Sequence, residues 1–190
     1  MDVSISDHDV KKEYSIDDIY ALPEGQRAEI IDGRWYDMAP PSSFHQRILT
    51  EMVGELRDYV KSRGGKCRVY AAPFAVFLNK DEKDYFEPDI SVICDPDKVD
   101  DKGCHGAPDL VVEILSPSTK DRDLGVKLFK YRMAGVKEYW VINPILMITT
   151  IYRFASTDEG MDVADQMSFD DPIGSRLYPD IRIVLSELLK

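Results

Sequence analysis

The chain has 190 residues, 44% hydrophobic and 31% charged, an ordinary globular composition with enough length to bury a sizeable core. Its formal net charge of −11 argues against a general affinity for nucleic acid, which rests on Lys and Arg neutralising phosphates, and leaves only a local basic surface open. No apolar run reaches the ~18 residues needed to span a bilayer.

The start, MDVSISDHDVKKEYS, is polar and acidic with no apolar signal region, so the chain reads as cytoplasmic. Cys67, Cys94 and Cys104 are too few and too scattered for a disulfide framework, which agrees with a reducing compartment. Residues 1–14 are expected to fray, and 15–190 to form one domain.

In chain order, SIDDIYALPEG predicts a short helix begun by Ser15 and stopped at Leu22 before Pro23. RAEIIDGRWYDMAP predicts a hairpin turning at Asp32-Gly33. SSFHQRILTEMVGELRDYVKSRGG predicts the longest helix, with Ser43 and Gln46 at capping-box spacing and the Gly64-Gly65 pair ending it. Its apolar stripe is Ile48, Leu49, Met52, Leu56, Tyr59 and Val60.

Three strands follow, CRVYAAPFAVFL, YFEPDISVIC and DLVVEILS. A second helix, STKDRDLGVKLFKYRMAG, ends at Gly135, and KEYWVINP is a fourth strand. The tail offers a strand in TTIYRFA, a loop, and a last strand in PDIRIVLSELLK turning into a short helix. From residue 43 the order is α-β-β-β-α-β, an α/β or α+β sandwich with two helices covering a mixed central sheet.

Two acidic residues stand out. Glu113 interrupts Leu110, Val111, Val112, Ile114 and Leu115, a run typical of a strand buried on both faces. A charge there neutralises, pairs or binds a cation. Asp89, in FEPDISV on the preceding strand, shares a face with Glu87 and Ser91 by the two-residue period. Adjacent strands can bring Asp89 and Glu113 together, and two hard oxygen ligands suit Mg²⁺. On the second helix Leu124, Lys127, Leu128 and Tyr131 form the apolar stripe, so Lys127 faces the sheet and Lys130 does not. Its ammonium could orient an attacking water or stabilise charge on a phosphate.

These residues resemble the PD-(D/E)XK, or restriction-endonuclease-like, nuclease superfamily. AEIIDG, SSFHQRIL, EPDISVI, PDLVVEILSPSTKDRDLGVKLFKYRMAGVKEYWVINP and the late LYPDI resemble, more closely, the Uma-type family of bacterial restriction endonucleases. The resemblance implies the same α-β-β-β-α-β core, preceded by a helix and hairpin, and Mg²⁺-dependent phosphodiester hydrolysis in which Mn²⁺ can substitute. Asp89 matches the PD aspartate and Glu113 the acidic residue of the (D/E)XK element. Leu115 stands where that element has its lysine, and in the Uma-type branch the next helix supplies one, here Lys127. Glu29 matches a further acidic position near the metal, and the Ile114 carbonyl is a candidate ligand.

Other candidates have simpler readings. Glu29 reads first as a polar residue on a hairpin's exposed face. His45, on the first helix's stripe, is more often a hydrogen-bonded core residue than a base, though it could line the cleft. Gln46 reads as the reciprocal cap of Ser43, while Ser116 and Ser118 cap the second helix. Cys94, Cys104 and His105 lack zinc spacing. KSRGGKCR, at 61–68, is the most basic window and complements a helix end.

The expectation is therefore a Mg²⁺-dependent endonuclease with nucleic acid, DNA first, as substrate. The same fold as a non-catalytic binding or oligomerisation module is the competing class, and a hydrolase of a small phosphate ester the third. A homodimer follows only by analogy, since cutting two strands needs two sites.

Overall fold

The computed structural model describes residues 13–79, 83–155 and 162–190. Most of the segment expected to fray lies outside these residues. Tyr14 does not behave as expected: it is buried, its amide donates to the Gly33 carbonyl at 2.8 Å, and its ring lies 5.2 Å from that of Trp35.

Helix α1 (Ile16–Tyr20) begins where the Asp18 carboxylate accepts the Ser15 amide at 2.9 Å. Strands β1 (Ala28–Ile31) and β2 (Arg34–Asp37) pair antiparallel. Asp32 and Gly33 between them both take positive φ, 51° and 71°, as a type I′ turn requires. All four residues of β1 are buried, because Ile30 also bridges to Tyr85 on the other side.

Helix α2 (Ser43–Ser62) is capped one residue earlier than expected: Ser42 Oγ accepts the His45 amide at 3.2 Å. That shift gives the third helical position to His45 and removes Gln46 from the reciprocal-cap role. The stripe Ile48, Leu49, Met52, Leu56 and Val60 is buried, and Tyr59 packs at its margin.

Strand β3 (Arg68–Ala71) is followed by Ala72-Pro73. Proline has no N–H for the ladder, so the single expected strand over 67–78 divides, and β4 (Val76–Phe77) leaves for another sheet. Next come β5 (Ile90–Ile93), β6 (Val99–Asp100), β7 (Gly103–His105) and β8 (Leu110–Ile114). Helix α3 (Lys120–Arg122), a π-helical turn (Asp123–Lys127) and α4 (Leu128–Ala134) run on continuously to Gly135, whose φ of 92° ends them.

Strands β9 (Glu138–Asn143), β10 (Ile148–Arg153) and β11 (Val163–Ser168) and helix α5 (Leu185–Leu188) complete the chain. Strand β11 occupies part of the expected loop. The expected terminal strand is reduced to an Ile173–Ile183 bridge.

The main sheet has the order β11-β10-β9-β8-β5-β3. Only β8 and β9 are parallel, as a connection through a helix allows. The sequence α2-β3-β5-β8-α3/α4-β9 is the expected α-β-β-β-α-β core in a mixed sheet. Strands β4, β7 and β6 form a small second sheet.

Alternation sorts the side chains of β8. Leu110, Val112 and Ile114 pack with Ile48, Met52 and Leu56 of α2. Val111 and Leu115 pack with Tyr131 and Tyr139 under α4. Each fully buried aliphatic side chain contributes roughly 1.5–3 kcal/mol. Glu113 projects into the second layer, between Val111 and Leu115.

The pairing of Arg68 with Ile93 brings Cys67 opposite Cys94, and the two form a disulfide. This corrects the expectation of unpaired cysteines. Strand pairing makes neighbours of residues 27 apart in sequence. Cys104 is free and buried.

Candidate active site

Asp89 stands one residue before β5, and the pairing of Ile90 with Val112 places it opposite Glu113. Directly opposed side chains of an antiparallel pair have Cβ atoms about 4.5–5.5 Å apart, within reach of one cation. Asp89 Oδ2 accepts the Ile114 amide at 2.7 Å and lies 3.2 Å from His45 Nε2. Both contacts fall on Oδ2, which leaves Oδ1 as the oxygen for a ligand. His45 thus reaches the site from the first turn of α2. Burial depresses its imidazole, but Asp89, the Ile114 backbone and Asp123 outweigh that and hold it above the usual histidine value.

Lys127, only 3% exposed, is surrounded by carboxylates. Its Nζ lies 2.8 Å from Glu29 Oε1, 2.9 Å from Glu113 Oε1 and 3.4 Å from Asp123 Oδ1. Tyr131 Oη donates to Glu113 Oε1 at 3.0 Å. Burial pushes the Glu113 carboxyl well above the ordinary range; Lys127 opposes this, while Asp123, Asp89 and Glu29 add to it. Burial likewise raises Asp123. For Lys127 burial works against the charge, but Glu113, Glu29 and Asp123 overcome it, and the amine stays protonated.

The expectation for Glu29 is corrected. It is fully buried, accepts the Glu87 amide at 3.2 Å and touches Lys127 directly. Because both edges of β1 are covered, its face is not exposed.

Asp123 was not among the sequence candidates, nor was Arg122. The π turn explains this. An α-helical stripe pairs Lys127 with Leu124 and Leu128, yet those two are only partly buried. Asp123, Lys127 and Tyr131, four apart in series, are all buried, because the wider turn brings them into line. Such turns are frequent at functional sites. The acidic residue four before Lys127 was the available signal for Asp123.

The remaining candidates lie elsewhere or play other parts. Glu87 is held by Arg27, at 2.7 Å from Nε and 2.5 Å from NH2, and by Tyr85 Oη at 2.7 Å. Gln46 is exposed at the cleft mouth. Ser116 and Ser118 do not cap the second helix: Thr119 takes that position, and its Oγ1 accepts the Ser116 amide at 3.2 Å. Cys94 is in the disulfide, and His105 lies 3.1 Å from Asp100. In the basic window, Arg63 pairs with Asp180 at 2.5 Å.

Asp89, Glu113, Lys127, Glu29, His45 and Asp123 line one cleft of about 560 Å³, bounded by α2, the hairpin and residues 114–119. Among the described residues no three His, Cys, Asp or Glu side chains converge as a cation site. Asp89 and Glu113, with the Ile114 carbonyl, are instead a two-carboxylate set. That set fits Mg²⁺, which keeps several waters and takes one or two carboxylates.

Comparison with known proteins bears on the family and the fold. Residues 16–160 match the family model Uma2, described as "Putative restriction endonuclease". The chain is 31% identical over 136 residues to the uncharacterized protein slr1290 of Synechocystis sp., covering 71% of this chain and 69% of that protein. It superposes with a TM-score of 0.72 on the crystal structure of "a putative nuclease belonging to DUF820" from Anabaena variabilis, at 20% identity, with 92% of this chain and 96% of that one covered. At that identity the likeness speaks for the fold alone. The chain has the nuclease fold and belongs to the Uma2 family of restriction-endonuclease-like proteins.

Proposed function

We propose that this protein is a Mg²⁺-dependent endonuclease that hydrolyses phosphodiester bonds in nucleic acid, with DNA the first substrate to test. The observation that carries this reading is the opposition of Asp89 and Glu113 at neighbouring strand ends, with Lys127 2.9 Å from Glu113, in an open cleft.

Asp89 Oδ1, Glu113 and the Ile114 carbonyl would hold the cation. When bound, it would polarise a phosphoryl oxygen and lower the pKa of a coordinated water. Lys127 lies where it can orient the attacking water and offset charge developing on phosphate. Glu29 and Asp123 fix that ammonium. His45 holds Asp89 Oδ2 and so orients the carboxylate. Manganese, with similar oxygen preference, should substitute.

The test is cleavage of double-stranded DNA, single-stranded DNA and RNA with Mg²⁺, with Mn²⁺ and with chelator, using wild type, Asp89→Asn and Glu113→Gln. The reading expects metal-dependent cleavage by wild type and at least a hundredfold loss in both folded variants. Equal cleavage by the variants would assign the activity to a contaminant. No cleavage of any substrate would leave a non-catalytic binding module as the better account.

A further inference from the structure

Among the described residues lining the cleft, Arg122 is the one cation that makes no hydrogen bond, its contact with Glu29 being a long ion pair. The lining carries Arg27, Arg122 and Lys127, with His45 beside them. Arg27 grips Glu87 by two close contacts, at 2.7 and 2.5 Å. Lys127 is shared by three carboxylates, and His45 is bound to Asp89. The guanidinium of Arg122 makes no hydrogen bond to any described residue, and its Nε is buried. Its nearest acid is Glu29, 3.7 Å away at Oε2, too far for a hydrogen bond.

Its position is nevertheless fixed. The guanidinium carbon lies 4.9 Å from the centroid of the Tyr36 ring on β2, and the side chain is 12% exposed. Stacking on a ring orients a guanidinium while leaving its N–H fork free. An arginine serving only to balance Glu29 would close on it as Arg27 closes on Glu87. Lys127 already meets Glu29 through Oε1. The buried Nε–H left without an acceptor is costly, and a guanidinium fork suits the paired oxygens of a phosphate as well as those of a carboxylate.

We propose that Arg122 binds the non-bridging oxygens of the scissile phosphodiester, a role that rests on the nuclease reading above. A phosphate entering this cleft meets the negative charges of Asp89, Glu87 and Asp37 along its lining. Among the described residues of the lining, Arg122 is the positive group left to receive it, beside any cation held by Asp89 and Glu113. Arg122 precedes Asp123, the first residue of the π turn, so one distorted segment supplies both the phosphate ligand and Lys127.

The experiment follows the arginine Nε–H resonances of ¹⁵N-labelled protein as dimethyl phosphate, the smallest phosphodiester, is added with Mg²⁺ present. The Arg122 signal is assigned by its loss in Arg122→Lys. The proposal expects that signal to move on addition, dimethyl phosphate affinity to fall at least tenfold in Arg122→Gln, and partial retention in Arg122→Lys, which keeps the charge but not the fork. A signal that does not move, with wild-type affinity in Arg122→Gln, overturns it. Metal calorimetry and cleavage on the same samples separate the two claims. Mg²⁺ binding and cleavage unchanged in Arg122→Gln sink the arginine's role and leave the nuclease reading standing. A shifted Arg122 signal in a protein that cleaves no nucleic acid sinks the nuclease reading, and the scissile role with it, and leaves Arg122 as a phosphate-binding residue alone.

Discussion

Glu113 lies on an otherwise apolar strand face between Val111 and Leu115, and its environment makes its charge expensive. Its folded-state pKa lies above the unfolded one, chiefly through burial. For an acid shifted in this direction, the cost of ionising in the fold appears as pH rises above the ordinary carboxylate range. It is complete above the raised value and absent where both states are protonated. Glu113→Gln removes that cost, so the metal-free variant should melt no lower than wild type at neutral pH. The two should converge near pH ~3, below the ordinary carboxylate pKa. A calorimetric scan showing the variant several degrees less stable at neutral pH would contradict this account.

Lys127→Met should act oppositely. It strands Glu29, Glu113 and Asp123 without an ammonium and should cost about 3–5 kcal/mol in urea unfolding, with part of the loss recovered at acid pH. Among these residues Glu113 and Lys127 were legible in the sequence, because each broke an apolar pattern. Glu29 was suggested only by the family resemblance, and its burial was not legible, since that depends on Tyr85, which bridges to Ile30 from 55 positions further along the chain. Asp123, four residues before Lys127 and so within reach of it in either helical period, breaks no apolar pattern of its own.

Elements were read well where one pattern governed them. Helix α2 has its 3.6-residue stripe and β8 its apolar run, and both stand as expected. The failures share a cause: tertiary context decided them. Pro73 divides a stretch whose composition is uniformly strand-like. Strand β11 is polar along most of its length because it lies at a sheet edge, pairing only with β10, so it carries no apolar signal.

The small sheet depends on Gly103, whose φ is +146° and where an added Cβ would sit 2.4 Å from the Ala75 carbonyl oxygen. Gly103→Ala must move backbone as well as adopt a φ that L-residues avoid. It should destabilise by roughly 3 kcal/mol, read as a lowered urea midpoint with an unchanged slope. A midpoint equal to wild type would show that β4 and β7 can separate freely.

At the scale of the whole molecule, the net charge of −11 is carried into the cleft, where, among the described residues, every basic group but Arg122 is held by a close carboxylate contact. The cleft itself presents no basic surface to a nucleic acid, so on the proposed function a bound cation would supply the attraction. Substrate binding should therefore depend on divalent metal more steeply than on monovalent salt. Measured by anisotropy of a labelled oligonucleotide, affinity should fall at least tenfold on chelation and change less across a modest range of NaCl. Affinity that ignores chelator but collapses with salt would indicate a basic face elsewhere.

The charge argument and the acid-rich cleft meet in one quantity, the affinity of the Asp89–Glu113 pair for a divalent cation. Titration calorimetry of Mg²⁺ and Mn²⁺ into wild type and Glu113→Gln measures it, with circular dichroism confirming that the variant is folded. The account predicts one site in wild type, absent from a Glu113→Gln protein of native fold. Equal binding by both proteins, or none by wild type with dimethyl phosphate also present, would contradict it.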